Sequence, residues 1–85
     1  MNYNIEYTPA ALKQLFKLDK SVAKSIVDYM ESISPNPMDF GKALRKGYRG
    51  YWRHRVGDYR VISVLEKNSL TVLVVKIGHR DKIYE

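Results

Sequence analysis

Apolar side chains recur along this chain in two periods, first helical and then strand-like. Residues 3–7 (YNIEY) alternate weakly and are aromatic or β-branched, which predicts a short first strand. Thr8 followed by Pro9 then forms a helix start, a side-chain cap with proline at the first helical position. Ala11, Leu12, Leu15, Phe16 and Leu18 supply an apolar stripe, and this first helix is expected to end near Leu18. Asp19 can cap a second helix whose buried face is Val22, Ala23, Ile26, Val27, Tyr29, Met30 and Ile33, with Lys20, Lys24, Asp28 and Glu31 in solvent. Two helices joined this closely make a hairpin, and Ser34-Pro35-Asn36-Pro37 ends it.

From residue 47 the period changes to two. Residues 38–46 (MDFGKALRK) read as an irregular turn that lays Phe40 and Leu44 on the core and leaves Lys42, Arg45 and Lys46 wet. Residues 47–56 predict a strand, Val56-Gly57-Asp58 a tight turn, and residues 59–66 (YRVISVLE) a second strand. After a turn at Lys67-Asn68-Ser69, residues 70–77 (LTVLVVKI) form a nearly continuous apolar run suited to an inner strand, which Gly78 should terminate. The expectation is an α+β domain spanning residues 1–85: an N-terminal strand and a helical hairpin packed on one face of a small, mainly antiparallel sheet.

Alternation divides the first strand of the meander between two environments. Tyr51, Arg53 and Arg55 point one way, while Trp52, His54 and Val56 point toward the helices, where a hydrogen-bonded histidine and a tryptophan are ordinary core. Cross-strand pairing could bring Arg60 beside Arg53 and Arg55, and a single β-bulge would reverse the assignment. Charge sharpens this picture. The chain carries 15 basic and 9 acidic side chains, and residues 41–60 alone hold seven basic and one acidic, so the whole +6 excess sits in that segment. Arginine interleaved with Tyr48, Tyr51 and Trp52 suits phosphate contact and base stacking, and Arg45, Lys46 and Arg49 extend the same phosphate-binding run. Tyr48 and Tyr51 fit equally well as cover for the sheet edge.

Several classes of chemistry drop out. With no cysteine there is neither a disulfide nor a thiolate metal site. Near the basic segment the carboxylates are Asp58, Glu66 and Asp81, at spacings unrelated to a metal cluster, so neither metal nor cofactor is expected. Ser63 is the only serine near the two histidines, and it lies in a strand without elbow glycines. No apolar run approaches a membrane span and residues 1–10 lack a secretory layout, so the cytoplasm is the expected location. What remains is metal-free cleavage of RNA, in which the substrate's own 2′-hydroxyl attacks the adjacent phosphate. Arg60 and Arg80 are candidates to clamp the non-bridging oxygens, and His79 and Tyr84 to carry protons. Arg53 and Arg55 keep their protons and are assigned to phosphate binding. If the tail turned helical, Arg80 and Tyr84 would share one side; alternatively Tyr84 folds against the core.

With these residues placed, the sequence resembles the RelE/ParE superfamily of type II toxin-antitoxin toxins, and the RelE branch in particular. Three segments carry the likeness: ALKQLFKL in the first helix, LRKGYRGYWRHRVGDYRVI over residues 44–62, and IGHRDKIY over residues 77–84. The resemblance implies a RelE-like fold and a small basic toxin that enters the ribosomal A site and cleaves mRNA, leaving a 2′,3′-cyclic phosphate and a 5′-hydroxyl. It places Arg60 at the family's transition-state arginine, Arg80 at a second phosphate-binding arginine and Tyr84 at a stacking tyrosine. Arg53 and Arg55 stand where several members carry lysines, and His79 corresponds to a histidine that some relatives place just before the arginine. A RelB-like antitoxin is implied as partner, with operator DNA bound through the antitoxin. Two other readings compete: a ParE-like toxin that poisons gyrase without cleaving RNA, and a non-catalytic nucleic-acid-binding module.

Overall fold

A computed structural model of the chain describes residues 2–45 and 50–84. Its elements run β1 (Asn4–Tyr7), α1 (Pro9–Phe16), α2 (Lys20–Ser32), a 3-10 turn (Pro37–Asp39), β2 (Lys42–Ala43), β3 (Tyr51–Val56), β4 (Tyr59–Glu66), a second 3-10 turn (Lys67–Ser69) and β5 (Thr71–His79). The strands form one sheet in the order β1-β5-β4-β3-β2, with β1 parallel to β5 and every other pair antiparallel. This is the α+β arrangement expected, with the first strand returning to pair with the last.

Local chemistry explains the boundaries. Thr8 Oγ1 accepts the Ala11 N–H at 3.1 Å and Pro9 opens α1. Asp19 stands at the cap position of α2 without a side-chain capping bond. Ser34 donates its hydroxyl to the Glu31 carbonyl at 2.8 Å as the chain leaves α2, and Pro35 prevents continuation. Ala11, Leu15, Ile26, Met30 and Ile33 from the helices meet Val61, Val72, Val74 and Ile77 from the sheet in one core. Each fully buried valine, leucine, isoleucine or methionine of this set contributes about 1.5–3 kcal/mol relative to exposure.

Four expectations are corrected. Phe16 is 78% exposed: the face that α1 buries runs through Ala11 and Leu15, and Phe16 is turned about 100° around the helix from Leu15. Phe40 is 47% exposed rather than core; its contribution is the backbone carbonyl, which accepts the Trp52 indole N–H at 2.7 Å. Residues 42–43 form a strand on the edge of the sheet, opposite Arg53 and Trp52, where an irregular turn was expected. Gly78 does not end β5, which continues to His79, and the residues beyond fold as turns rather than a helix. The expected strand over residues 47–56 is seen from Tyr51; Lys46, Gly47, Tyr48 and Arg49 lie outside the described residues.

Candidate nucleic-acid interface

Register fixes which side chains share the sheet face away from the helices. Arg55 pairs with Arg60, Arg53 with Ile62, and Tyr51 with Val64 across β3 and β4. Directly opposed residues of an antiparallel pair project to the same side, so Arg53, Arg55 and Arg60 stand on one face. His54, paired with Val61, and Trp52, paired with Ser63, take the other. Arginines placed directly opposite each other repel, and an anion between them relieves that repulsion.

His54 is buried and belongs to the scaffold. Its Nε2 lies 2.9 Å from the Pro37 carbonyl oxygen, which can only accept, so Nε2 carries the proton; its ring meets Tyr29 edge-on at 6.0 Å. Burial lowers its pKa below the ordinary histidine value, opposed by hydrogen bonding to the Pro37 and Phe40 backbone. Together with the bond from Trp52 to Phe40, it ties the segment after α2 to β3. Gly41 completes this docking: its φ is +72°, and a Cβ there would lie 2.1 Å from the Arg53 carbonyl oxygen.

The β3–β4 turn gathers the other arginines. Arg60 donates from Nη1 to the carbonyl oxygens of Gly57 at 3.1 Å and Tyr59 at 3.0 Å. Neither carbonyl is charged, so the guanidinium is held in place with its charge unneutralised. Arg80 reaches the same turn from the tail, donating its backbone N–H to the Asp58 carbonyl at 2.8 Å, with Nη1 3.9 Å from Asp58 Oδ1. The side-chain contact is a weak, exposed ion pair that competing phosphate can displace. Arg60 and Arg80 therefore converge on residues 57–59 from two parts of the chain.

The tail is pinned by a glycine. Gly78 pairs with Arg60, so its missing side chain would project onto the arginine face. Ile83, 2% exposed, fills that place: a Cβ on Gly78 would lie 3.0 Å from Ile83 Cδ1. Lys82 N–H to His79 O at 2.9 Å closes the intervening turn. Tyr84 follows at 45% exposure, outside the core.

His79 is not brought to this face. It pairs with Tyr59 on the helix side, where the two rings meet edge-on at 5.6 Å, and its Nδ1 accepts the Asp81 N–H at 3.2 Å. Arg45 is exposed beyond the edge strand. Among the described residues no group of three or more histidine, cysteine, aspartate or glutamate side chains is placed to hold a metal, and no helix is long and apolar enough to cross a membrane.

Two basic residues of this face escaped the reading of the sequence: Lys42, which pairs with Arg53 on the edge strand, and Lys76. Ile62 pairs with Lys76 and Ser63 with Val74, so Val75 is an extra residue in β5 and the register shifts there. Uninterrupted alternation would put Lys76 on the same side as Val72 and Val74, in the core; the bulge turns it to the arginine face. No local sequence signal marks this bulge.

The geometry agrees with comparisons to known proteins. A family model described as the ParE toxin of type II toxin-antitoxin system, parDE, matches residues 5–84. Toxin RelG of Mycobacterium tuberculosis is 29% identical over 99% of this chain and 98% of its own length. Toxin RelE of the same organism is 29% identical over 96% of this chain and 86% of its own. In the crystal structure of the RelBE2 toxin-antitoxin complex from M. tuberculosis, one chain superposes with a TM-score of 0.88 at 27% identity, covering 94% of this chain and 100% of that one. A family match across nearly the whole chain, on a fold that agrees, identifies it as a member of the RelE/ParE superfamily of type II toxin-antitoxin toxins.

Proposed function

We propose that this toxin is a ribosome-dependent, metal-independent endoribonuclease that cleaves mRNA in the ribosomal A site and so stops translation. The observation that carries the proposal is the convergence of Arg60 and Arg80 on the β3–β4 turn, beside a face that holds Arg53 and Arg55. In the reaction the 2′-oxygen of one nucleotide bonds to the adjacent phosphorus, and the bond to the 5′-oxygen breaks. The products are a 2′,3′-cyclic phosphate and a 5′-hydroxyl end. Charge accumulates on the non-bridging oxygens as this happens, and prepositioned guanidinium groups stabilise it without reorganising.

In this account Arg60 and Arg80 contact the scissile phosphate, and Tyr84 stacks on a base at the edge of the face. Arg53 and Arg55, with Arg45, Lys46 and Arg49, bind the flanking RNA backbone. His79, turned toward Tyr59, acts by holding the tail turn through its bond to Asp81. The ribosome supplies the substrate orientation that so few catalytic groups cannot impose, so free RNA is a poor substrate.

A RelB-like antitoxin is the proposed partner in the cytoplasm, masking the basic face and carrying the complex to operator DNA. The M. tuberculosis neighbour, solved as a toxin-antitoxin complex, supports the antitoxin as partner. The family model, described by its ParE member, keeps gyrase as the second reading. Mapping 5′ ends of mRNA on programmed ribosomes separates the two. The nuclease yields new ends at the A-site codon; a gyrase poison yields none, and instead traps cleaved DNA on gyrase.

A further inference from the structure

The arginine face carries four cross-strand rows. Glu66, Thr71 and Asn4 form the first, and Tyr51, Val64, Leu73 and Glu6 the second. Lys42, Arg53, Ile62 and Lys76 form the third, and Arg55, Arg60 and Gly78 the fourth. Lys76 is thus a diagonal neighbour of Arg60, at a backbone separation of about 7–8 Å, within reach of long side chains. Ile62, between Arg53 and Lys76, is only 4% exposed although it lies on this face. Arg53 Nε is itself sealed from solvent and has no hydrogen-bond partner among the described residues.

Transesterification at phosphorus needs a proton delivered to the departing 5′-oxygen. Guanidinium groups hold their protons too tightly to serve well. His79 lies on the other side of the sheet. Of the remaining titratable groups described on this face, Glu6 and Glu66 stand in the rows farther from Arg60, Tyr51 lies at the other end of β3 from the turn, and Tyr84, in the exposed tail turn, is assigned above to stacking on a base. Lys42 occupies a two-residue edge strand, on the far side of Arg53 from the turn and tail. Among the described candidates Lys76 alone sits on an inner strand, beside Arg60 and two residues before the glycine that seats the tail.

We infer that Lys76 is the general acid of the cleavage reaction. The inference rests on the nuclease reading above and adds the group that protonates the leaving oxygen. As the 2′-oxygen bonds to phosphorus and its proton passes to water, the P–O5′ electron pair leaves with the 5′-oxygen. The Lys76 ammonium gives that oxygen a proton, and the neutral amine recovers one from water. Arg60 and Arg80 stabilise the phosphorane oxygens throughout.

The test is single-turnover cleavage of mRNA in the A site of programmed ribosomes, with this chain saturating. Two substrates are compared, ordinary RNA and RNA with a bridging 5′-sulfur at the scissile phosphate, whose thiolate leaves without protonation. Lys76→Arg keeps the charge and Lys76→Gln removes it; thermal melts confirm that each folds. On ordinary RNA, Lys76→Arg should cleave about 10² to 10⁴ times more slowly than the unaltered chain, with unchanged ribosome affinity. On the sulfur substrate it should match the unaltered chain. Lys76→Arg cleaving ordinary RNA within threefold of the unaltered chain, or an equal deficit on both substrates, overturns the inference, as does sulfur rescue of Tyr84→Phe instead. Those outcomes leave the nuclease reading standing; only failure of the unaltered chain to cleave removes both.

Discussion

The backbone N–H of Arg80 donates to the carbonyl oxygen of Asp58 at 2.8 Å, joining the C-terminal tail to the turn between β3 and β4. That bond brings an arginine twenty residues distant in sequence to the hairpin that carries Arg60. The site is therefore only as well formed as the docking of the tail, and that docking depends on Ile83 sitting where Gly78 has no side chain.

Ile83→Ala should release the tail. Truncating a buried aliphatic costs about 2–5 kcal/mol where the surroundings cannot relax; the residues after β5 are turns outside the sheet, so the expected loss is at the low end and local. Hydrogen exchange should show the Arg80 and Lys82 amides losing protection while Val61 and Val72 keep theirs. Gly78→Val, which crowds the same place, should give the same pattern.

Gly41→Ala tests the docking of the segment after α2. Its positive φ and the 2.1 Å approach of a Cβ to the Arg53 carbonyl leave no room, so the edge strand must move. A loss exceeding about 1 kcal/mol is expected, beyond the usual entropic gain of the substitution. Denaturant unfolding measures it, and Trp52 fluorescence should shift as the indole loses Phe40.

Stability should fall in mild acid because of His54. The folded state holds this histidine neutral with a lowered pKa, whereas the unfolded chain protonates it near 6.5. The unfolded state then binds more protons, so its contribution is intact above pH 6.5. It declines as pH falls from there toward the lowered folded value, by up to about 1.4 kcal/mol per pH unit. Unfolding midpoints across pH 5 to 8 for the natural chain and His54→Gln should converge at the acid end; parallel curves would exclude His54 as the source.

The order of elements and the limits of β4 were legible because long periodic segments announce themselves: the Thr8-Pro9 start, the apolar stripe of α2, and the run after Asp58. So was the division of β3, where alternation put Trp52 and His54 on the face opposite the arginines; His54 is core there, whereas Trp52 is only partly buried and bonds the Phe40 carbonyl instead of joining the core. Long-range contacts were not legible. Two residues of β2 are too few to alternate, and they are held by Trp52 and His54 reaching back to the segment before them. Gly78 looks like a terminator but is a seat for Ile83, five residues later. Lys76 is hidden by a bulge at Val75 that only pairing with β4 reveals. Within the candidate site, the arginines of one hairpin followed from pattern. The side of the sheet taken by His79 and Lys76 required the register.

Single-turnover cleavage of A-site mRNA by Arg60→Ala and Arg80→Ala, measured beside ribosome affinity, tests the convergence of these two arginines most directly. Each should lose on the order of 10² to 10³ in rate, as expected for removing a donor to the transition-state oxygens, with affinity changed far less. An Arg80→Ala chain that cleaves at the natural rate, or rate losses matched by equal losses in affinity, would contradict the account.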